Sequence, residues 1–448
     1  MTQISRPVAT LMDNGSRWIE ADATLSDAGI PHVPLPLFFS PAQRVHAIAS
    51  AHVTRVLTDR PDEILEFHPG AMPDGQWRAL TWVKLPDRES THSPLPSGTA
   101  KITFTSGTTG EPKGVCLSTA QMYATALALA ETLAPLGLTR HLCALPLPVL
   151  LENIAGVLAP QLLGMTVMAP PLIETGLLGA AGFDVPRFSR CLADNKPDSV
   201  ILLPQMLEVW LAEIEAGRLS PPNHLRFVAV GGARVSSDTL IRARDVGIPV
   251  FEGYGLSECA SVVALNHPGA DRPGSVGRPL PHLSVTLGDD GEIFIGGQTH
   301  LGYLDEPPKP VGALLATGDL GTLDEDGFLF VSGRKKNIII TAFGRNIAPE
   351  WIESELQREP VIAQAAVFGE ARPWLSAVIV SRSAATSEIG TAMDRVNARL
   401  PDYARIQHFI IADQSFTPAN GLATANGRPR RPAIATHYQN QLEKPYEL

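Results

Sequence analysis

A short loop of glycines and hydroxylated residues after an apolar strand is the feature that most constrains this chain. Residues 102–114 read ITFTSGTTGEPKG. The glycines let successive backbone N–H groups turn toward one point, because no Cβ blocks a close approach. The serine and threonines add hydroxyl donors, and Lys113 adds one movable positive charge. Such a loop suits a polyphosphate, and it departs from the Walker A spacing, in which Gly-Lys-Ser/Thr opens a helix.

Three further motifs follow this loop along the chain. Residues 251–258 read FEGYGLSE, residues 317–320 read TGDL, and residues 327–340 read GFLFVSGRKKNIII, continued by GRNIAPEWIE at 344–353. Mg²⁺ takes hard oxygen ligands, usually one or two carboxylates beside substrate phosphates, so Glu258 suits that ion. Each short motif alone also fits an ordinary turn, because glycine and aspartate are common there. The four motifs in this order are specific.

Together they resemble the motifs of the adenylate-forming (ANL) superfamily, in its acyl-CoA synthetase and AMP-dependent ligase branch. The resemblance runs from about residue 30 to the end, so we expect a member that is shortened at its N-terminus. It implies ATP and Mg²⁺ as cofactors and activation of a small-molecule carboxylic acid as an acyl-adenylate, with release of pyrophosphate. The acyl group then passes to a thiol, either of CoA or of the phosphopantetheine on an acyl or peptidyl carrier protein.

The resemblance also assigns roles to residues. Tyr254 lies against the adenine, Asp319 accepts hydrogen bonds from the ribose hydroxyls, and Arg334 bonds the ribose or a phosphate. The nucleotide-binding set is Thr105, Ser106, Gly107, Thr108, Thr109, Gly110, Gly232, Ala233, Gly253, Tyr254, Gly255, Ser257, Asp319 and Arg334. The catalytic set is Lys113, Glu258, Arg428 and the hinge residue Lys336, and the metal ligands are Glu258 and Thr105.

The segment 420–431, NGLATANGRPRR, departs from the family pattern. In the family a lysine near the C-terminus reaches into the site during the first step, whereas here Arg428 falls at that position and Lys444 is the only lysine after the hinge. Arginine keeps the positive charge, but its guanidinium group is planar and bulkier than the ammonium group of lysine, so the replacement alters the geometry of the site. Three outcomes stay open: Arg428 does the lysine's work, the first step is slow, or only nucleotide binding is kept. A basic tail that merely packs or is solvated is the structural alternative.

The acid-binding pocket is the part of the site that the sequence predicts least well. The resemblance places it near residues 150–156, 203–207, 231–234 and 253–262, where most side chains are small or aliphatic and no obvious carboxylate would meet an amino group. Such a lining favours an apolar acid, although ordinary core packing has the same composition. Residues 317–353 resemble the long-chain fatty-acyl branch of the family more than the peptide-synthetase branch, and we expect a medium- or long-chain fatty acid first and an aromatic or β-hydroxy acid second. The expected lining residues are Leu151, Asn153, Ile154, Gly232, Ala233, Cys259, Ala260 and Val262.

Alternating apolar and amphipathic segments predict an α/β fold. We expect a large N-terminal adenylation core of layered α/β subdomains over residues 1–333, and a small, mobile α+β lid domain over 334–448 with its hinge near Lys336. A small β-rich unit before the hinge is expected from residues 284–287, 292–296 and 302–303, and a second parallel sheet from 199–203, 227–231 and 249–251. Helices are expected at 41–51, 119–136, 154–163 and 388–400, while residues 1–30 carry little information.

The bulk properties exclude several classes of protein. The 448 residues are enough for two or three domains with large cores. A formal charge of −10 argues against nucleic acid as a partner. The four cysteines lack paired spacing, so neither a disulfide framework nor a zinc site is expected. Without a signal pattern or an apolar run of membrane-spanning length, we expect a cytoplasmic protein with no stable membrane association.

Two alternatives to thiol transfer stay open. In the first, the adenylate passes to an amine, an intramolecular hydroxyl or a partner protein, which gives an amide or ester without CoA. In the second, the chain is a catalytically silent nucleotide-binding scaffold. The presence of Lys113, Glu258, Asp319 and Arg334 together speaks against the second alternative.

Overall fold

The N-terminal part of the chain is built on two large sheets. The computed structural model describes residues 6–86, 95–105, 113–179, 182–310, 312–382, 386–424 and 427–446. The first sheet has eight strands, in the spatial order Gly302–Tyr303, Lys113–Ser118, Thr99–Thr105, His32–Pro34, Val8–Leu11, Arg55–Thr58, Leu80–Lys84 and Met72–Trp77. Helices Ser16–Asp27, Pro41–Ser50 and Pro61–Phe67 accompany it.

Strand Val8–Leu11 corrects the expectation that residues 1–30 carry little information. It pairs in parallel with both His32–Pro34 and Arg55–Thr58, and all four of its residues are buried. Helix Ser16–Asp27 follows it directly. Its sequence, Val-Ala-Thr-Leu, is too short to show a periodicity, which is why the sequence alone did not predict this central strand.

The second sheet has seven strands, in the order Arg278–Pro279, Ala264–Leu265, Val250–Tyr254, Phe227–Val230, Ser199–Leu202, Arg140–Leu142 and Thr166–Met168. The last five of these run parallel, which confirms the predicted parallel sheet. Parallel strands are buried on both faces. One face carries helices Val185–Asn195, Pro204–Glu215 and Ser237–Asp245, and the other carries helix Thr119–Leu133 and the helical segment 151–162. A two-stranded ribbon, Leu177–Leu178 and Gly182–Phe183, lies beside them.

The helix expected at 154–163 is different in form. The structure has a π-helix at Leu151–Leu158 that continues as α-helix Ala159–Leu162. Pro160 has no N–H to offer the carbonyl of Gly156 four residues earlier. That carbonyl instead accepts from the Cys143 thiol, with 3.6 Å between the Gly156 oxygen and Sγ. A widened turn is therefore compatible with this sequence.

A four-stranded antiparallel sheet follows, with the strands Leu283–Leu287, Glu292–Gly297, Leu315–Leu323 and Leu329–Arg334 in that order. The expectation that residues 302–303 belong to this β-rich unit is wrong, because Gly302–Tyr303 pairs with Lys113–Ser118 in the first sheet. Gly114 permits this approach, since a Cβ there would lie 2.4 Å from Cδ1 of Leu304.

The C-terminal region is an α+β unit with its own core. Its strands are Ile339–Ile340, Asn346–Ile347, Ile362–Phe368, Leu375–Ser381 and Ile406–Ile411, and its helices are Pro349–Gln357, Thr386–Arg399, Arg431–His437 and Gln439–Glu443. Short 3-10 turns lie at Ala134–Leu136, Ser257–Cys259, Lys335–Asn337, Asp402–Ala404 and Lys444–Tyr446. Among the helices of the described residues, none has both the length and the apolar character that a bilayer crossing requires.

Candidate active site

A cavity of about 1140 Å³ opens at the carboxyl edge of the second sheet and extends under the C-terminal region. Every predicted site residue that the structure describes lines it: Thr105, Lys113, Gly232, Ala233, Gly253, Tyr254, Gly255, Ser257, Glu258, Asp319, Arg334, Lys336 and Arg428. The predicted residues Ser106, Gly107, Thr108, Thr109 and Gly110 lie outside the described residues. Residues from six separate segments of the chain therefore meet around one space.

Tyr254, Asp319 and Arg334 form a hydrogen-bonded chain on one wall. The Tyr254 hydroxyl donates to Oδ2 of Asp319 at 2.6 Å, and Oδ1 of Asp319 accepts from Nε of Arg334 at 2.6 Å. Asp319 and Arg334 are opposite each other on neighbouring strands, so the backbone register sets this pair. Burial raises the pKa of Asp319, which the charge of Arg334 opposes, and burial raises the pKa of Tyr254 well above its usual value. Tyr254 therefore remains a hydroxyl donor.

A second cluster surrounds Glu258. The Tyr303 hydroxyl donates to Oε1 of Glu258 at 2.9 Å, and the backbone N–H of His300 donates to the Glu258 carbonyl at 2.6 Å. Nζ of Lys113 lies 5.2 Å from the centre of the Tyr303 ring and 3.0 Å from Oε1 of Glu306. Sequence reasoning treated Tyr303 only as part of a strand. The sequence signal that could have identified it is a tyrosine after a glycine, Gly302-Tyr303, between the motifs at 251–258 and 317–320.

The backbone around Glu258 is tightly constrained. A Cβ on Gly255 would lie 1.5 Å from the carbonyl oxygen of Ser261, so only glycine fits there. Ala260 and Ser261 have φ angles of 50° and 91°, which side-chain-bearing residues rarely adopt. Such conformations cluster where a structure holds a functional group in place. Here they follow immediately after the carboxylate expected to face the metal.

Glu252 is a carboxylate that the sequence analysis overlooked, one residue before the expected pocket stretch. It is buried and lines the cavity. Burial raises its pKa to about 8, while the nearby charge of Arg234 and the backbone N–H of Val235 act in the opposite direction. Burial thus favours the neutral form of this carboxyl group over the carboxylate.

Half of the residues expected to line the acid pocket do so. Leu151, Gly232, Ala233 and Val262 are in the cavity wall, whereas Asn153, Ile154, Cys259 and Ala260 are buried away from it. The Asn153 amide instead bonds Nζ of Lys101 at 2.5 Å and Oδ2 of Asp22 at 3.0 Å, which ties the π-helix to the N-terminal helix. The π-helix turns the side chains of Asn153 and Ile154 into the protein interior.

Contacts from the C-terminal region close one side of the cavity. Nη2 of Arg428 donates to the carbonyl of Gly232, and Nε2 of Gln205 donates to the carbonyl of Gly427 at 3.3 Å. The charges of Asp319 and Glu350 act on Arg428 from within the cavity. The residue that departs from the family pattern thus reaches the space that the motif residues surround.

Lys336 lies in the 3-10 turn Lys335–Asn337, between the last strand of the four-stranded sheet and the C-terminal region. Desolvation lowers its pKa, and Arg334 adds to this while Asp319 opposes it. Its neighbour Lys335 pairs with Asp290 and Glu292 at 2.6 Å each. The cavity wall thus offers a carboxylate that can accept from ribose hydroxyls, Asp319, a carboxylate for a hard cation, Glu258, and the positive charges of Lys113 and Arg428.

The chain belongs to the AMP-binding enzyme family. The family model for AMP-binding enzymes matches residues 2–304, and the model for the AMP-binding enzyme C-terminal domain matches residues 336–448. The match begins well before residue 30, where the sequence analysis expected the resemblance to start.

Individual proteins of the family are similar to parts or most of this chain. It is 33% identical over 251 residues to the long-chain-fatty-acid–CoA ligase FadD15 of Mycobacterium bovis, a match that covers 49% of this chain and 42% of FadD15. The chain thus spans less than half of that relative. It is 29% identical over 384 residues to the 2-succinylbenzoate–CoA ligase of Bacillus licheniformis, covering 81% of this chain and 76% of the relative.

The fold is similar to that of the amide bond synthetase McbA from Marinactinospora thermotolerans. The two structures superpose with a TM-score of 0.77 at 26% identity, over 97% of this chain and 90% of McbA. This agreement confirms the expected fold class, a large N-terminal α/β part followed by a small α+β part.

Proposed function

We propose that this chain is an ATP- and Mg²⁺-dependent, AMP-forming acid–thiol ligase. One observation carries the proposal: the Tyr254–Asp319–Arg334 chain, Glu258 and Arg428 line a single cavity. The CoA ligases among its relatives support the same chemistry, and a cytoplasmic location is part of the proposal.

In the first step, a carboxylate oxygen of the acid attacks the α-phosphorus of ATP, and the bond to the leaving pyrophosphate breaks. Asp319 accepts from the ribose hydroxyls, and Arg334 holds Asp319 in orientation. Arg428 lies at the carboxyl edge of the sheet, where its charge can offset the two anions that must meet. Lys113 and the loop at 105–110 hold the leaving phosphates.

Glu258 and Thr105 fit a divalent cation because both offer hard oxygen donors, as Mg²⁺ prefers. Bound there, Mg²⁺ would supply charge neutralisation on the phosphates. Tyr303 keeps the Glu258 carboxylate directed by its 2.9 Å hydrogen bond. The protein's own part in this is to fix the carboxylate before the nucleotide arrives.

In the second step, a thiolate attacks the acyl carbon and AMP leaves. We propose CoA or a phosphopantetheine carrier as the acceptor, with rotation of residues 334–448 against residues 1–333 at Lys336 between the two steps. The substrate is a fatty or other apolar acid, because the cavity continues between the second sheet and helix Thr119–Leu133 along aliphatic side chains.

One observation favours a second candidate function. McbA, whose fold and sequence are both similar to this chain, is an amide bond synthetase. An amine could therefore take the acyl group in place of a thiol. AMP release in the presence of an amine or hydroxylamine but not CoA would favour this candidate.

The test is acid-dependent pyrophosphate release with ATP and Mg²⁺ over a panel of fatty, aromatic, β-hydroxy and amino acids. Asp319→Asn should raise the KM for ATP about tenfold or more, because an amide offers only one acceptor oxygen and also carries donors. Asp289→Asn, which changes an exposed aspartate, is the matched control. Tight ATP binding without pyrophosphate release for any acid would instead support a silent nucleotide-binding scaffold.

A further inference from the structure

The cavity has a polar far end. On the face of the second sheet that lies under the π-helix, His141 and Ser199 are paired across neighbouring parallel strands, and both line the cavity. Ser199 is the first residue of its strand, three positions before Leu202 at the carboxyl edge. At about 3.3 Å per residue, this places Ser199 about 10 Å from the edge where Arg428 and the nucleotide motifs lie.

The walls between the two ends are apolar. A carboxylic acid bound with its carboxylate at the sheet edge would extend along them toward His141 and Ser199. The cavity-lining residues that belong to the apolar cluster between this sheet and helix Thr119–Leu133 include Leu138, Ala159, Leu163, Met165, Phe227 and Ala229. A lining made only for alkyl chains would not need a histidine and a serine at its end.

The two polar residues belong to a directed hydrogen-bond chain. Nε2 of His141 lies 3.1 Å from Oε1 of Glu152, and Nδ1 of His141 lies 2.9 Å from Oγ of Ser199. Oε2 of Glu152 accepts the backbone N–H of Leu145 at 2.9 Å, which fixes the position of this carboxyl group. Oγ of Ser199 also lies 3.4 Å from the carbonyl oxygen of Arg140, to which the hydroxyl can donate. The one Ser199 hydroxyl proton thus has an acceptor inside the protein, either this carbonyl or, when the imidazole proton is on Nε2, Nδ1 of His141.

In that chain Ser199 has given its only proton away but keeps free acceptor capacity. A group at the far end of a bound acid must therefore donate a hydrogen bond to Oγ of Ser199. A carboxylate would bring a further acceptor and a charge toward Glu152, which is wholly buried. A neutral hydroxyl group meets the requirement.

We propose that Ser199, oriented by His141 and Glu152, is a specificity-determining residue that selects acids with a hydroxyl group at the end remote from the carboxylate. The inference rests on the proposed function, since it needs an acid to enter this cavity. It narrows the apolar acid of that proposal to one with an apolar body and a terminal hydroxyl.

The experiment compares matched acids that differ only in the remote group: octanoic with ω-hydroxyoctanoic acid, and cinnamic with para-hydroxycinnamic and para-carboxycinnamic acid. The kcat/KM for pyrophosphate release measures turnover, and thermal stabilisation by each acid measures binding. In at least one pair the hydroxy acid should be favoured about tenfold or more, as one added hydrogen bond allows, with the dicarboxylic acid disfavoured.

Ser199→Ala should reduce that preference to about twofold or less, because it removes the acceptor. Ser189→Ala is the matched control, because Ser189 also has a buried Oγ but lies on helix Val185–Asn195 and is not among the cavity-lining residues. It should keep the wild-type ratio. Equal or better use of the plain acids, or an unchanged ratio in Ser199→Ala, would overturn the inference. If no acid causes pyrophosphate release, the proposed function is wrong. The inference is then tested by thermal stabilisation alone: greater stabilisation of the wild-type protein by hydroxy acids than by plain acids would support it, and equal or smaller stabilisation would overturn it.

Discussion

The hydroxyl of Tyr303 donates to Oε1 of Glu258, although the two residues are 45 positions apart, with Glu258 in the 3-10 turn Ser257–Cys259 and Tyr303 on an edge strand of the first sheet. The contact forms because strand Gly302–Tyr303 pairs with Lys113–Ser118 in the first sheet and is not part of the four-stranded β-rich unit. The ring of Tyr303 also lies under Lys113. A single tyrosine thus contacts both Glu258, the proposed metal ligand, and Lys113 of the phosphate loop.

Tyr303→Phe should weaken the response to Mg²⁺. Loss of the hydroxyl frees the Glu258 carboxylate to rotate, and residues that orient a metal ligand commonly contribute about ten- to a hundredfold in affinity. We expect the Mg²⁺ concentration for half-maximal pyrophosphate release to rise about tenfold. Tyr123→Phe, at an exposed tyrosine on helix Thr119–Leu133, is the control and should leave the Mg²⁺ curve in place. Equal curves for both variants would remove Tyr303 from the metal site.

Arg428 supplies a second prediction. Arg428→Ala should lower acid-dependent pyrophosphate release by about a hundredfold or more, because it removes the cation that faces the reacting anions. Arg428→Lys keeps the positive charge but loses the planar guanidinium group, so its activity should fall between that of Arg428→Ala and that of the wild-type protein. Arg430→Ala removes a neighbouring arginine that bonds Gly421 within the C-terminal region, and serves as the control. If Arg428→Lys exceeds wild type, the natural chain is tuned away from rapid adenylation.

Two glycine-to-alanine changes should act in opposite directions. Gly255→Ala places a Cβ against the Ser261 carbonyl oxygen and should displace the turn that carries Glu258, raising the KM for ATP and lowering the melting temperature. Gly390→Ala lies within helix Thr386–Arg399, where a Cβ meets nothing within 4 Å. It should stabilise the fold by about 0.5–1 kcal/mol, because alanine loses less backbone entropy in a helix. Thermal unfolding of both variants checks the pair, and destabilisation by Gly390→Ala would contradict it.

The pKa of Glu252 predicts a pH-dependent stability. Burial raises the pKa to about 8 from a usual value near 4.5, so the folded state holds this proton over a range in which the unfolded state has lost it. The stability contribution is fully present below the unfolded pKa and is lost as the pH rises toward 8. Glu252→Gln should therefore gain stability relative to wild type between about pH 5 and pH 8.

Urea unfolding at several pH values measures this difference. Glu131→Gln, at an exposed glutamate on helix Thr119–Leu133, provides the control for loss of a carboxyl group. If the free energies of unfolding of Glu252→Gln and wild type differ by the same amount at every pH in this range, Glu252 has the same pKa in the folded and the unfolded state.

What the sequence could predict depends on how local each feature is. Asp319 and Arg334 each sit inside a short motif, and the turn between their strands brings them together, so the motifs alone indicated this wall of the site. Glu252 escaped notice because only the fold reveals that it is buried. The pairing of Ser199 with His141 likewise depends on a parallel register across 58 positions, which no local pattern records.

The elements near the N-terminus illustrate the same limit. Val8–Leu11 is a short apolar run like many others, and its place between two parallel strands follows from packing and not from its own composition. The helix at Pro41–Ser50 was predicted closely because a serine cap, a proline at the first turn and a glutamine three residues after the cap all mark its start.

The order of strands along the chain determines when each strand of the eight-stranded sheet can pair during synthesis on the ribosome. Strand Lys113–Ser118 emerges long before its edge partner Gly302–Tyr303 has been made. At about 5–20 residues per second, the ribosome needs roughly 10–40 s to synthesise the intervening chain. For that time the strand presents an unpaired backbone edge, the kind of surface that invites chains on neighbouring ribosomes to aggregate. The nascent protein therefore has an interval of vulnerability that ends only when residues 302–303 cover that edge.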